Sequence, residues 1–413
     1  MQKMYKRLKL ACYSTNVTMS VVSNLSPLLF LTFRSLYGIS YSLLGLLVLI
    51  NFVSQLIIDL IFSFFSHKFN IPKVVKMIPL LSCIGLLIYA LWPFVFTNNV
   101  YIGLVLGTIV LSASGGLAEV LISPVIAAIP SKDPDREMSK LHSIYAWGVV
   151  FVVIFSTLFL LIFGQRNWQW LPLVFLVIPL FSASLFAGSK IPEMETPEKV
   201  SGAVSMLKNK TLWFCVFAIF LGGAAECTMA QWSSGYLEQA FKIPKVWGDV
   251  FGVALFAVML GLGRTLYAKI GKNISKVIMW GSIGATLCYF VAAISNISVV
   301  GLFACALTGF FVSMLWPGNL IVASDRIKNG GVFIFAMMAA GGDLGASVAP
   351  QLVGIITDAV TLNSSTINLA QNLGLSPDQL GMKLGMLVGM LFPLVAIPLS
   401  VWFIKTNKLD NNK

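Results

Sequence analysis

Apolar residues fill twelve stretches of this chain, each about long enough to cross a bilayer, for which ~20 helical residues suffice. They run Leu10–Phe33, Ser42–Ser66, Val74–Phe96, Val100–Ile129, Ser139–Phe163, Trp168–Ser189, Thr211–Tyr236, Val250–Ile270, Val277–Ser295, Val299–Ser324, Val332–Val360 and Leu384–Ile404. Short polar and basic segments separate them. The pattern predicts an all-α polytopic membrane protein with twelve transmembrane helices.

Composition agrees with the pattern. Of 413 residues, 57% are hydrophobic and 11% charged, against roughly 25% charged in soluble domains. The net charge of +12 would suit a nucleic-acid partner, but the basic residues sit in clusters between apolar runs, where they orient helices instead. With the N-terminus in the cytoplasm, 22 of the 28 basic residues fall on the inner side. Arg34, Arg166, Lys242, Lys245 and Lys383 fall outside, and Arg264 lies within a helix. This asymmetry predicts cytoplasmic N- and C-termini in a multi-pass protein of the cell membrane. The basic start (Lys3, Lys6, Arg7, Lys9) precedes an apolar stretch with no small-residue cleavage site, so it reads as a retained first helix. Six scattered cysteines and two histidines predict neither a disulfide framework nor a metal cluster. No cofactor is implied, and no G-x-x-x-x-G-K-[ST] motif points to ATP.

The longest inner connection, Lys190–Lys210, divides the chain into a six-helix bundle at 1–189, a cytoplasmic linker at 190–210 and a second six-helix bundle at 211–413. The halves repeat one another. ASGGLAEVLISPVIAA (Ala113–Ala128) lies over ALTGFFVSMLWPGNLIV (Ala306–Val322), pairing Gly116 with Gly309 and Pro124 with Pro317. LHSIYAWG (Leu141–Gly148) lies over FAMMAAGG (Phe335–Gly342), and HKFN (His67–Asn70) over AKIG (Ala268–Gly271). Such duplication is common in secondary transporters.

Five ionisable residues lie well inside the apolar stretches: Asp59, Glu119, Glu226, Arg264 and Asp343. A charge at mid-membrane depth costs about 2.5–3.5 kcal/mol on insertion scales, so each needs a partner or a water-filled cavity. The third, sixth, ninth and twelfth stretches carry none away from their ends. The pattern predicts four lipid-facing helices and eight around a polar interior.

Two six-helix halves with this alternation resemble the major facilitator superfamily. That resemblance implies a cavity lined by helices one, four, seven and ten, with helices two, five, eight and eleven between the halves. The loop after helix two, SFFSHKFNIPK (Ser63–Lys73), keeps Lys68 of the family's G-x-x-x-D-R/K-x-G-R pattern, and RTLYAKIGK (Arg264–Lys272) keeps Lys269 and Gly271. Both fit positive-inside anchors, with gating as the alternative. GGLAEVLISP (Gly115–Pro124) resembles the fourth-helix G-x-x-E-x-x-x-N-P pattern of the fucose-permease-like proton symporters, with Ser123 in the asparagine place. Tyr145 replaces that group's fifth-helix asparagine, and SNLSPLL (Ser23–Leu29) lacks its first-helix aspartate. LHS-x-Y-x-WG, the WPG turn and the GDLG run are shared with a wider set of bacterial facilitators.

On this reading Glu119 and Glu226 are proton-coupling candidates, with structural carboxylates as the alternative. Asp59, Arg264 and Asp343 are expected in gate or packing ion pairs, with Arg264 assigned to Asp343. His142 is expected to cap helix five at the surface. Asn24, Asn51, Gln55, Tyr145, Trp147, Gln231, Trp232, Trp316 and Asn319 could line a solute cavity, where rings stack and amides hold hydroxyls. Trp92, Trp168, Trp170 and Trp402, at helix ends, are expected in interfacial belts. The function expected is alternating-access secondary transport of a small polar organic solute such as a sugar, coupled to the transmembrane proton gradient. The partners expected are the solute and membrane lipid, with no nucleic acid, and the chain is expected to work as a monomer. Proton-coupled efflux, a non-transporting receptor or scaffold, and a membrane enzyme are the alternatives; two distant histidines offer the last no catalytic arrangement.

Overall fold

The computed structural model describes residues 2–39, 41–194, 204–243, 247–327 and 331–410, and these contain helices and no strand. The first half holds α1 (Gln2–Tyr37), α2 (Tyr41–Phe65), α3 (Ile71–Val95), α4 (Val100–Ala128), α5 (Pro134–Phe163), α6 (Trp170–Phe175) and α7 (Val177–Ala187). The second begins with α8 (Lys210–Phe241), and a π-helical segment (Gly248–Ala254) runs into α9 (Leu255–Ile270). Then follow α10 (Ile274–Ile294), α11 (Ser298–Val312), α12 (Leu315–Arg326), α13 (Gly331–Leu362), α14 (Ser364–Asn372) and α15 (Pro377–Asp410). Part of the expected linker, 195–203, lies outside the described residues, as do Lys245, Lys328 and Lys413.

Eleven helical stretches among the described residues are long and apolar enough to cross a membrane, against the twelve expected. The described part of α1 is not among the eleven. Its Thr15, Asn16, Thr18 and Ser20 are buried inward. Ser20 Oγ donates to the Tyr145 carbonyl (2.8 Å) and Asn16 Nδ2 to that of Leu141 (3.0 Å), fastening α1 to α5.

Prolines explain two interruptions. A proline has no N–H and its ring crowds the carbonyl four residues earlier. The sixth stretch divides at Leu176, beside Phe175, four residues before Pro179. The tenth divides at Ser313–Met314, four and three residues before Pro317.

By packing, the chain falls into two compact units: Met1–Asn209 with Ile327–Ala340, and Lys210–Arg326 with Gly341–Lys413. In the first, Phe33, Tyr89 and Trp168 form an aromatic core, with Phe33 and Trp168 edge to face at 4.8 Å. Trp168 is not in an interfacial belt: it is fully buried, and its Nε1 donates to the Tyr37 hydroxyl (3.0 Å). In the second unit α15 packs along α10 and α8, and α9 along α11. Trp147, Phe151, Ile154, Leu158 and Leu161 form an exposed row along α5, as Trp280, Leu287 and Ile294 do on α10. Apolar exposure this continuous suits lipid rather than water.

Lys383 departs from its expected loop position. Ser376-Pro377-Asp378-Gln379 forms a capping box in which Gln379 N–H donates to Ser376 Oγ (3.2 Å) and Ser376 N–H to Gln379 Oε1 (2.9 Å). The box starts α15 seven residues before the expected Leu384. Lys383 is therefore buried in the helix, and its Nζ donates to the Ala293 carbonyl (3.1 Å) and to that of Ser295, at the C-terminal end of α10. A cation there offsets the partial negative charge of a helix end.

Candidate functional site

The centre of charge in the second unit follows from Pro317. With no N–H at 317, the Ser313 carbonyl has no helical donor. Arg264 supplies one: its Nε donates to Ser313 O at 2.9 Å. Gly263 lets α9 come this close, since a Cβ there would lie 2.9 Å from the Phe310 carbonyl and 2.2 Å from Ser313 Oγ. Held by this bond, the guanidinium reaches α8, where Nη2 donates to both carboxylate oxygens of Glu226, each at 2.9 Å. The side chains are 3% and 13% exposed. Arg264 thus pairs with Glu226, and Glu226 is one half of an ion pair. Buried pairs of this kind add little net stability, but removing one partner costs about 3–5 kcal/mol because the other charge stays behind.

Around this pair, Trp316 is half-buried and packs against Gly342, where a Cβ would come within 2.4 Å of its ring. Asn319 is buried, and its Nδ2 donates to the Leu315 carbonyl (2.6 Å). Asp343, also buried, lies on α13 beside Gly342. Gln231 is exposed. The Trp232 indole donates to the Pro350 carbonyl (2.9 Å) and borders a separate cavity of about 350 Å³ with Gln239, Gly354, Thr357, Asp378 and Met382. Lys269 is exposed at the end of α9.

In the first unit the expected residues gather on α2 and α4. Ser112 Oγ donates to Asn51 Oδ1 (2.6 Å). Gln55 is buried, and its backbone lies 3.3–3.4 Å from where a Cβ on Gly116 would stand, so the two helices cross closely there. Glu119 is half-buried on α4 one turn past Gly115, and Asp59 is fully buried on α2, its carbonyl accepting from Ser63 Oγ (2.7 Å). Asn24 is half-buried and donates to the Ser20 carbonyl of its own helix (2.9 Å). Tyr145 is half-buried, Trp147 stands at the head of the exposed α5 row, and His142 Nε2 lies 3.5 Å from Ser123 Oγ. Lys68 is exposed, 5.1 Å above the Phe65 ring.

Sequence reasoning missed two parts of this arrangement. The Ser313 carbonyl was detectable, because it stands four residues before a proline inside an apolar run. The cluster tying α1 to α5 was not: Lys9 Nζ meets Glu137 Oε1 at 2.9 Å, and the Tyr13 hydroxyl donates to Glu137 Oε2 at 3.0 Å. These residues lie more than a hundred positions apart. No group of three or more His, Cys, Asp or Glu is placed to hold a metal among the described residues.

The fold has close counterparts among solved structures. The E. coli fucose:proton symporter FucP aligns over 95% of this chain and 99% of its own, with TM-score 0.72 and 15% identity. FucP in an outward conformation aligns over 94% and 98%, with TM-score 0.74 and 16% identity. The proton:xylose symporter XylE bound to 6-bromo-6-deoxy-D-glucose aligns over 98% and 96%, with TM-score 0.72 and 12% identity. At these identities the likeness establishes the fold. No curated protein matches the chain in sequence. The family model of the major facilitator superfamily matches residues 11–350, which is most of the chain. A multi-pass membrane protein with this helix order, this duplication and this match belongs to the major facilitator superfamily, a family of transporters rather than enzymes.

Proposed function

We propose that this transporter carries a small polar organic solute, of the sugar class, in symport with protons by alternating access. The observation that carries the reading is the buried Glu226–Arg264 pair, held on one side by the Ser313 carbonyl. When Glu226 takes up a proton, the charge that holds Nη2 is gone while Nε stays on the Ser313 carbonyl. Arg264 can then donate to hydroxyl oxygens of an arriving solute. Loss of the proton returns the guanidinium to Glu226 and releases the solute, so one step depends on the other. Glu119 is the second protonatable group, on the helix that matches α11–α12 in the duplication. The fold shared with fucose:proton and xylose:proton symporters supports the solute class and the coupling ion. The basic clusters favour a plasma membrane with both termini in the cytoplasm.

The test is uptake into proteoliposomes carrying an interior pH indicator. Adding L-fucose, D-xylose or a related sugar should draw protons inward with the solute, and an imposed pH gradient should drive accumulation. Glu226→Gln and Glu119→Gln should each lose accumulation, while solute exchange persists in at least one of them. Accumulation at full rate in both variants would overturn the coupling; an absence of any sugar flux in the parent chain would overturn the solute class.

A further inference from the structure

We infer that the cavity of about 350 Å³ bordered by α8, α13 and the start of α15 is a second ligand site, built for a small organic cation. The inference does not rest on the proposed solute or on its coupling. Along α8 the site's Gln239 lies thirteen residues past Glu226, or ~20 Å at the helical rise.

The volume lies at the lower end of the ~300–1,000 Å³ common for small-molecule sites. Its walls are fixed in place. The Trp232 ring is held through Nε1 by the Pro350 carbonyl at 2.9 Å, and Gly354 leaves room at its edge, since a Cβ would stand 3.3 Å from Cζ2. Thr357 Oγ1 donates to the Val353 carbonyl at 2.9 Å, so that donor is already used. The opening turns of α15, which carry Asp378 and Met382, are tied at two points. Gln379 Nε2 donates to the Ala240 carbonyl (3.1 Å), and Lys383 reaches the carbonyls of Ala293 and Ser295.

The second tie decides the chemistry. It commits the ammonium nearest on α15 to the end of α10, away from the lining. The lining keeps one charge, the exposed carboxylate of Asp378, together with an indole ring, a thioether and an amide. A carboxylate and an aromatic ring lining one cavity can together attract an ammonium group, since the ring's quadrupole is negative over its face. With the Thr357 hydroxyl used internally, one amide and one carboxylate are too few to satisfy the hydroxyls of a sugar. An anion would face the Asp378 carboxylate, with no cation among the described lining residues to offset it.

Isothermal titration of the purified full chain compares choline with 3,3-dimethylbutan-1-ol, which has the same shape and no charge. Choline should bind saturably, and the alcohol about tenfold or more weaker. Asp378→Asn and Trp232→Leu should each weaken choline about tenfold, while Asp378→Glu retains it. Asp378 is exposed, so the melting temperature of Asp378→Asn should match the parent and separate lost binding from lost folding. Equal affinity for choline and the alcohol, no saturable choline binding, unchanged choline affinity in Asp378→Asn, or displacement of choline by glucose would each overturn the inference.

Discussion

The two halves carry one proline each at matched positions, Pro124 and Pro317, and the chain responds differently to them. In the first half α4 runs unbroken through Pro124 for 29 residues. In the second, the matching stretch breaks at Ser313–Met314 into α11 and α12. The difference lies in what meets the carbonyl that each proline leaves without a donor. In the second half the Arg264 guanidinium takes it and passes the charge to Glu226. In the first half the position that the duplication matches to Arg264 is Ser63, whose hydroxyl turns back to the Asp59 carbonyl of its own helix. One scaffold, copied, therefore holds a buried ion pair between helices in one half and a local hydrogen bond in the other.

The comparison breaks most visibly at the charges. Arg264→Met leaves Glu226 buried without its cation, and should cost about 3–5 kcal/mol in thermal or denaturant unfolding of the detergent-solubilised protein. The double variant Arg264→Met with Glu226→Gln should be more stable than Arg264→Met alone, because no charge is then left behind. Glu119→Gln in the first half keeps its shape and most hydrogen-bonding capacity, and should cost about 1 kcal/mol or less. If Glu119→Gln proved as damaging as Arg264→Met, the halves would be electrostatically alike and the contrast would fall.

A smaller effect is expected where the paired glycines set helix approach. A Cβ on Gly309 would sit 2.3 Å from the Phe256 carbonyl, whereas on Gly116 it would sit 3.2 Å from the Ile58 Cβ. Backbone must shift far in the first case, whereas a few tenths of an ångström suffice in the second, where the Ile58 Cβ and the Gln55 backbone stand 3.2–3.4 Å away. Gly309→Ala should then cost about 1–3 kcal/mol, as overpacking does, and Gly116→Ala less. Equal melting temperatures for the two variants would show that α9 and α11 yield as easily as α2 and α4.

Most of the fold was legible because membrane helices are long, apolar and separated by basic loops. The duplication was legible because glycine and proline at helix crossings have few substitutes. The start of α15 was written in Ser376-Pro377-Asp378-Gln379, yet hydropathy outweighed capping and left Lys383 outside the helix. Hydropathy likewise passed over α14, although Asn363 caps it by accepting from the Ser365 N–H at 2.9 Å. The partner of Arg264 was a different matter. Glu226 and Asp343 are both acidic and both lie deep in apolar stretches, and the reach of Arg264 to Glu226 follows from the path of α9, set by Gly263 and the Ser313 carbonyl. Trp168 shows the same limit: its place at a helix end suggested the interface, and the packing of α1 and α3 around it put it in the core.

The finest contrast concerns the prolines themselves. Replacing proline by alanine inside a helix restores an N–H and removes a clash, an intrinsic gain of up to ~3 kcal/mol. In α4 the restored N–H of Pro124→Ala would bond the Val120 carbonyl without displacing any side chain described there. In the second half the restored N–H of Pro317→Ala must compete with Arg264 Nε for the Ser313 carbonyl, and a charged hydrogen bond of this kind is worth about 1.5–3 kcal/mol. Pro124→Ala should therefore raise the melting temperature, while Pro317→Ala leaves it nearly unchanged. Transport should respond in the opposite order: in Pro317→Ala the guanidinium loses its anchor and uptake should fall several-fold, whereas Pro124→Ala should keep it. Equal stabilisation by both substitutions, with uptake intact, would mean that the arginine does not depend on the carbonyl that Pro317 leaves open.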